Sequence, residues 1–212
     1  MIDLHTHTFL SDGVLGPAEL IRRCEVKGYR CLAIADHVDT ATAGHSVPIV
    51  VKTCRDVGPT TSMKLKPGAE LTHVRLAHFA DLVKRVRGLG AEVVIAHGET
   101  VVEPVLPGTN RAAIEAGVDV LAHPGLISRE DVELAAERGV CLEISGRKGH
   151  SLTNGHVAAL AREVGAELVF GSDSHTPDDL VDRDLAQTIA AGAGLSQAEI
   201  ERLFARAEEF FA

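Results

Sequence analysis

Seven short β-branched runs alternate with helix-length amphipathic segments along this chain, and no other feature restricts its fold as strongly. The runs are Ile2 to Leu4, Cys31 to Ala35, Met63 to Ala69, Glu92 to Ala96, Val118 to Ala122, Val140 to Ile144 and Glu167 to Phe170. Repeated βα units wind into a mostly parallel sheet, and side chains at the carboxyl ends of parallel strands in a barrel converge on one mouth. Helix signals separate the runs. Gly16-Pro17 opens a helix with Leu20, Ile21 and Cys24 on one face, and Gly28 closes it. Val74 to Val86 carries the stripe Phe79, Leu82, Val83 and Val86. Ser128 with Asp131, and Ser196 with Glu199, resemble capping arrangements, and the last helix turns Ile200, Leu203, Phe204, Ala207 and Phe211 inward. Asp39 to Pro48 and Val101 to Gly108 read as loops, each following a candidate ligand as active-site loops of a barrel do.

A length of 212 residues suits one sizeable core, so a single domain over residues 1–212 is expected. No apolar run approaches the roughly 18 residues of a membrane span, and the first strand begins at Ile2 without a charged leader and apolar signal before it; the expectation is a cytoplasmic protein with no membrane partner. Cys24, Cys31, Cys54 and Cys141 form no C-x-x-C pair and read as reduced structural thiols. The basic clusters Arg22, Arg23, Lys27, Arg30 and Lys84, Arg85, Arg87 lie on polar helix faces, which points to solvation rather than nucleic acid. Aromatic residues make only 3%, with Tyr29 the single Tyr and no Trp, so stacking platforms for bases are scarce. The net charge of -9 includes carboxylates that divalent cations would neutralise.

The chemistry sits at the strand ends. In Asp3-Leu4-His5-Thr6-His7, two histidines spaced by two share a strand face and can grip one cation. Ser11-Asp12-Gly13 then turns a carboxylate back toward that strand end. Ala35-Asp36-His37 closes the second run, with His37 expected as ligand and Asp36 as its supporting carboxylate. Glu70 follows the third run and has two oxygens with which to bridge cations. Ala96-His97-Gly98 and Ala122-His123-Pro124 repeat one pattern, and Asp173-Ser174-His175 ends the seventh run. A satisfied core histidine explains one such case and strains to explain the series. The sixth run ends instead in Ser145-Gly146-Arg147-Lys148-Gly149-His150, whose glycines, hydroxyl and paired cations suit an oxyanion. Ser145, Arg147, Lys148 and the loop residue His45 are therefore the expected substrate-binding groups; His73, His78 and His156 read as surface, and His150 stays open. Imidazole and carboxylate donors without thiolate suit zinc, manganese or iron, and clustered metals activate a bridging water as hydroxide for phosphoester hydrolysis. The chain has no G-x-S-x-G elbow, P-loop or dinucleotide fingerprint.

In this order, H-T-H, S-D-G, A-D-H, a mid-chain Glu, two solitary His and S-D-S-H, the sequence resembles the PHP (polymerase and histidinol phosphatase) family along essentially its whole length. The resemblance implies a distorted (β/α)7 TIM-like barrel of the PHP type, holding two to three divalent metal ions and hydrolysing phosphate esters. By position, His5, His7, Glu70 and Asp173 would hold the first metal; Glu70, His97 and His123 the second; Asp12, His37 and His175 the third. Glu70, Asp173 and His175 are then the expected catalytic residues. Some family members place His where this chain has Asp12, and many of its histidinol phosphatases are longer, leaving little room here for a substrate-recognising insertion. The expected substrate is a small phosphorylated metabolite, with histidinol phosphate and nucleotides among the candidates. Three alternatives compete: nucleic-acid phosphodiesterase or exonuclease action; an amidohydrolase, which would favour a lysine where this chain has His97; and a non-catalytic interaction module stabilised by metal.

Overall fold

The computed structural model describes residues 1–212. Its strands are β1 (Ile2–Asp3), β2 (Cys31–Ile34), β3 (His37–Val38), β4 (Lys64–Leu71), β5 (Val93–His97), β6 (Val120–Ala122), β7 (Cys141–Ser145) and β8 (Leu168–Gly171). The helices between and after them are α1 (Pro17–Val26), α2 (Ala43–Val57), α3 (Phe79–Gly88), α4 (Thr109–Ala116), α5 (Arg129–Arg138), α6 (Asn154–Val164), α7 (Arg183–Gly192) and α8 (Gln197–Glu209). Every strand pair is parallel, in the order β1-β2-β4-β5-β6-β7-β8, with β3 also on β4. β2 and β3 are two pieces of one interrupted strand: β2 pairs with Lys64 to Pro67, and β3 with Glu70 and Leu71. The sheet nearly closes on itself through a parallel bridge between Thr6 and Ser174, where His7 N donates to Ser174 O (2.9 Å) and Asp173 N to His5 O (2.9 Å). The result is a seven-stranded parallel barrel wrapped by helices, as expected from the alternation of runs.

Two apolar clusters show which way the strand residues face. Val94 and Ala96 belong to the larger one, which is shared with the helices, whereas Val93 and Ile95 belong to the smaller. Alternate residues of a strand point to opposite faces, so the smaller cluster fills the barrel, joined by Ala207 and Phe211 at the chain's end. His97 continues the phase of Val93 and Ile95. Glu143 continues that of Cys141, and Asp173 that of Val169. Polar groups therefore stack above an apolar barrel filling.

Two sequence expectations change. Asp39 to Pro48 is not a loop throughout: α2 begins at Ala43 and carries Pro48 in its interior. Ala43, Val47, Val50 and Cys54 are its buried stripe, so packing on the barrel outweighs the proline's missing N–H donor. The second helix expectation, Val74 to Val86, also shifts, because α3 starts at Phe79 after a single 3₁₀ turn. The caps are as read: Ser128 Oγ accepts from Asp131 N, and Ser196 with Glu199 forms a complete capping box. All four cysteines are buried and unpaired, and no helix is long and apolar enough to cross a membrane.

Candidate metal centre

At the carboxyl ends of the strands lies a cavity of about 490 Å³, lined by 15 residues of which only Leu10 and Val38 are hydrophobic. Beneath it is a floor of five buried side chains: His5, His7, Glu70, His123 and Asp173. Glu70 is central. Its Oε2 lies 3.3 Å from His5 Nε2, 3.6 Å from His7 Nε2 and 2.6 Å from His37 Nδ1, while its Oε1 lies 3.5 Å from His123 Nε2. Asp173 faces the same histidines, with Oδ1 3.2 Å from His7 Nε2 and Oδ2 3.7 Å from His123 Nε2. His123 (φ 29°) and Asp173 (φ 53°) both hold left-handed backbone that residues with a Cβ rarely adopt. Such strain persists where the surroundings over-determine it, as at functional sites.

The floor has a specific deficit. His5 Nε2, both ring nitrogens of His7, both Glu70 oxygens and His123 Nδ1 are buried without a partner in hydrogen-bond geometry. Each such group costs roughly 1–3 kcal/mol, and six of them would consume much of the roughly 5–15 kcal/mol by which a domain is stable. Divalent cations placed among these atoms would relieve that deficit, and the donor set, imidazole plus carboxylate, is one that zinc, manganese and iron accept. The ionisation pattern agrees. Burial pushes His7 down to about 3, so its nitrogens stay free to ligate. Burial opposes charge on Glu70 as well, but His37 and His5 outweigh it and hold the carboxyl well below its ordinary range. His5 is raised instead, because Glu143, Glu70 and Asp173 overcome burial, and a cation bound there would have to displace that proton.

Donor atoms gather into four groups: His5, His7 and Glu70; His5, His123 and Asp173; His7, Asp12, His37 and His175; and His97, His123 and His150. Around the mouth, His175 Nε2 lies 3.0 Å from Asp12 Oδ1, and His37 Nε2 3.5 Å from the same oxygen. Asp12 reaches the mouth because Gly13 packs against His7, where a Cβ would sit 2.7 Å from the His7 carbonyl. Thus the nine positions singled out in the sequence meet at one end of the barrel. The groupings differ from expectation: His97 clusters with His123 and His150 and not with Glu70, Asp173 groups with His5 and His123, and His7 also joins Asp12, His37 and His175.

Several supports were not foreseen. Asp36 does not orient His37. It accepts from Thr8 N, Thr8 Oγ1 and Ser11 Oγ, tying down the loop that carries Asp12, while Thr72 Oγ1 meets His37 Nδ1 at 2.6 Å. Glu143 lies 2.6 Å from His5 Nδ1 and turns Nε2 of that ring toward Glu70. Gly171 makes this contact sterically open, since a Cβ there would collide with the Glu143 carboxylate and come within 2.9 Å of His5 Cβ. The sixth run, β7, therefore contributes as well. Its signal in the sequence was a lone carboxylate inside the apolar run Val140 to Ile144.

The expected substrate-binding residues divide. Arg147 lines the cavity, its Nη1 2.6 Å from His175 Nδ1 and 3.0 Å from Asp173 O, and it is the only Arg or Lys among the lining residues. Ser145, Lys148 and His45 do not line it. Ser145 is buried, exchanging backbone hydrogen bonds with the Asn154 amide and accepting from Arg147 N; Lys148 is exposed; His45 sits on the exposed face of α2. His150, left open by the sequence, is 3% exposed and lines the cavity, as do His73 and Glu103. His156 instead caps Ile127 O through Nε2.

Comparison with known proteins agrees with this geometry. An uncharacterized protein of Methanocaldococcus jannaschii is 42% identical over 94% of this chain and 92% of its own length. A probable phosphatase of Shewanella sp. (strain ANA-3) is 30% identical over 89% of this chain and 81% of its own. Among solved structures, the histidinol phosphate phosphatase of Lactococcus lactis, complexed with zinc, L-histidinol and phosphate, superposes with a TM-score of 0.65 at 16% identity. That superposition covers 92% of this chain and 94% of that one and establishes likeness of fold. Residues 3–150 match the PHP domain, and the chain belongs to that family.

Proposed function

We propose that the chain is a metal-dependent phosphoesterase, acting as a phosphomonoesterase on a small phosphorylated metabolite. The observation that carries this reading is the set of buried, unpartnered donor atoms on Glu70, His5, His7 and His123 beneath a polar cavity. The phosphatase designations of the Shewanella relative and the Lactococcus structure support it. His5, His7, Glu70 and Asp173 would hold one cation, and Asp12, His37 and His175 another, with His97 and His123 part of a further site. When bound, clustered divalent cations supply an activated water and neutralise charge on the phosphoryl oxygens.

The chain's own residues provide the rest. Arg147 presents the cavity's single fixed cation to a phosphoryl oxygen, held in place by the Asp173 carbonyl and the His175 ring. His175 Nδ1 is engaged by Arg147, and its Nε2 points to Asp12, where it would hold a cation, so neither nitrogen is left to supply the leaving group's proton. Glu143 keeps His5 turned inward, and Asp36 keeps the Asp12 loop in place. The cavity volume falls within the ~300–1,000 Å³ of small-molecule sites, and no Phe, Tyr or Trp lines it, which favours a compact polar substrate over a stacked nucleic acid base.

The test is phosphate release from sugar phosphates, nucleotides, histidinol phosphate and oligonucleotides, with zinc, manganese or iron supplied and then chelated. Activity that survives complete removal of metal overturns the mechanism.

A further inference from the structure

The loop between β5 and α4 brings a carboxylate over the group formed by His97, His123 and His150. Glu103 Oε2 is 3.0 Å from His97 Nε2, and its Oε1 is 3.5 Å from His150 Nε2. Around a tetrahedral zinc with ligand bonds of 2.0–2.2 Å, neighbouring donor atoms are separated by about 3.3 Å. The two distances bracket that value. The rings are also packed as a unit, with centroids 4.1 Å apart for His123 and His150 and 4.4 Å for His97 and His123.

Each outer histidine has its other nitrogen engaged. Thr100 Oγ1 meets His150 Nδ1 at 2.6 Å, and Gly98 O meets His97 Nδ1 at 3.1 Å, so both Nε2 atoms face Glu103. Metal-bound histidines characteristically carry such a partner on the nitrogen that does not ligate. The third ring, His123, is 2% exposed and has a buried Nδ1 without a partner. The loop itself is held in shape from outside the cavity. The Glu99 carboxylate accepts from Gly108 N and Asn110 N, and Asn110 Oδ1 accepts from Glu99 N.

We propose that His150 and Glu103 join His97 and His123 as metal ligands, making a site of three imidazoles and one carboxylate that is selective for zinc. This rests on the phosphoesterase reading only in requiring that the barrel mouth hold metal at all. Three nitrogens and one oxygen in a compact set suit zinc better than manganese, which prefers more oxygen donors. The carboxylate arm comes from a loop and is partly exposed, whereas the three imidazoles are buried.

The experiment compares the parent chain with His150→Ala, Glu103→Gln and, as a control, His78→Ala, an exposed histidine that does not line the cavity. Zinc per chain is measured by elemental analysis, zinc affinity by competition with a chromophoric chelator, and coordination by the visible spectrum of the cobalt-substituted protein. The expected result is loss of one zinc, or at least tenfold weaker binding at one site, in His150→Ala. Glu103→Gln should weaken the same site several-fold and alter the cobalt spectrum, and His78→Ala should match the parent. If both site variants keep the parent's stoichiometry, affinity and cobalt spectrum, the proposal is overturned and the His97–Glu103 contact is an ion pair. That outcome leaves the phosphoesterase reading standing, whereas a parent chain that binds no metal overturns both. Circular dichroism checks folding, and if His150→Ala fails to fold, the loop variant Glu103→Gln decides.

Discussion

The floor and the rim of the cavity are built differently. Floor residues His5, His7, Glu70 and Asp173 are at most 2% exposed, and each sits on or just beyond a strand of the barrel. At the rim, the side chains of Asp12 and Glu103 are 58% and 38% exposed, and loops carry both. The floor has buried donors without partners; the rim donors pair with one another, as Asp12 does with His175. A metal on the floor thus relieves a deficit built into the fold, whereas a metal at the rim displaces contacts already made. The floor is expected to bind first and release last.

Five substitutions probe that division, ordered by size. Glu70→Gln strikes the floor's central carboxylate and should lower kcat on the order of 10³-fold, the equivalent of several kcal/mol of charge stabilisation, with metal lost on elemental analysis. Near-normal turnover with full metal content would mean that the floor is not the catalytic centre. Glu143→Gln removes the charged partner of His5 without touching the cavity, and chelator competition should show about 10–100-fold weaker metal binding. Equal affinity would show that burial alone orients His5. Arg147→Ala acts at the rim and should raise KM about tenfold with a smaller change in kcat, measured by steady-state phosphate release. A fall in kcat at constant KM would instead place the guanidinium in the transition state. Lys148→Ala and His45→Ala should each change kcat/KM by less than about twofold, since neither side chain lines the cavity. A larger loss would show that the mouth closes over substrate further than this structure does.

The floor was more legible in the sequence than the rim, for a physical reason. Strand ends announce themselves through β-branched runs, so Glu70, His123 and Asp173 could be placed from what precedes them. Glu143 carries a comparable signal, as a charge within an apolar run, but its role depends on the His5 ring that only the closed barrel brings to it. Glu103 had no signal: it is one acid in a loop, and only the fold brings its carboxylate to His97. His150 was ambiguous for the same reason, since its burial depends on Thr100 and His123 from other units. Asp36 shows the limit of adjacency. It neighbours His37 in sequence, yet its oxygens turn to Thr8 and Ser11. α2 was hidden by Pro48, although Ala43, Val47, Val50 and Cys54 already spelled its buried stripe.

The bridge between Thr6 and Ser174 has a bearing on how the molecule is made. Its two halves are separated by most of the chain, so the entropy of closing that loop is met only when the last strand docks. His5 and His7 flank one half, Asp173 and His175 the other. A nascent chain that stops short of β8 therefore has His5, His7 and Glu70 but not Asp173, the second acid they face. Complete filling of the floor would then report that β8 has docked.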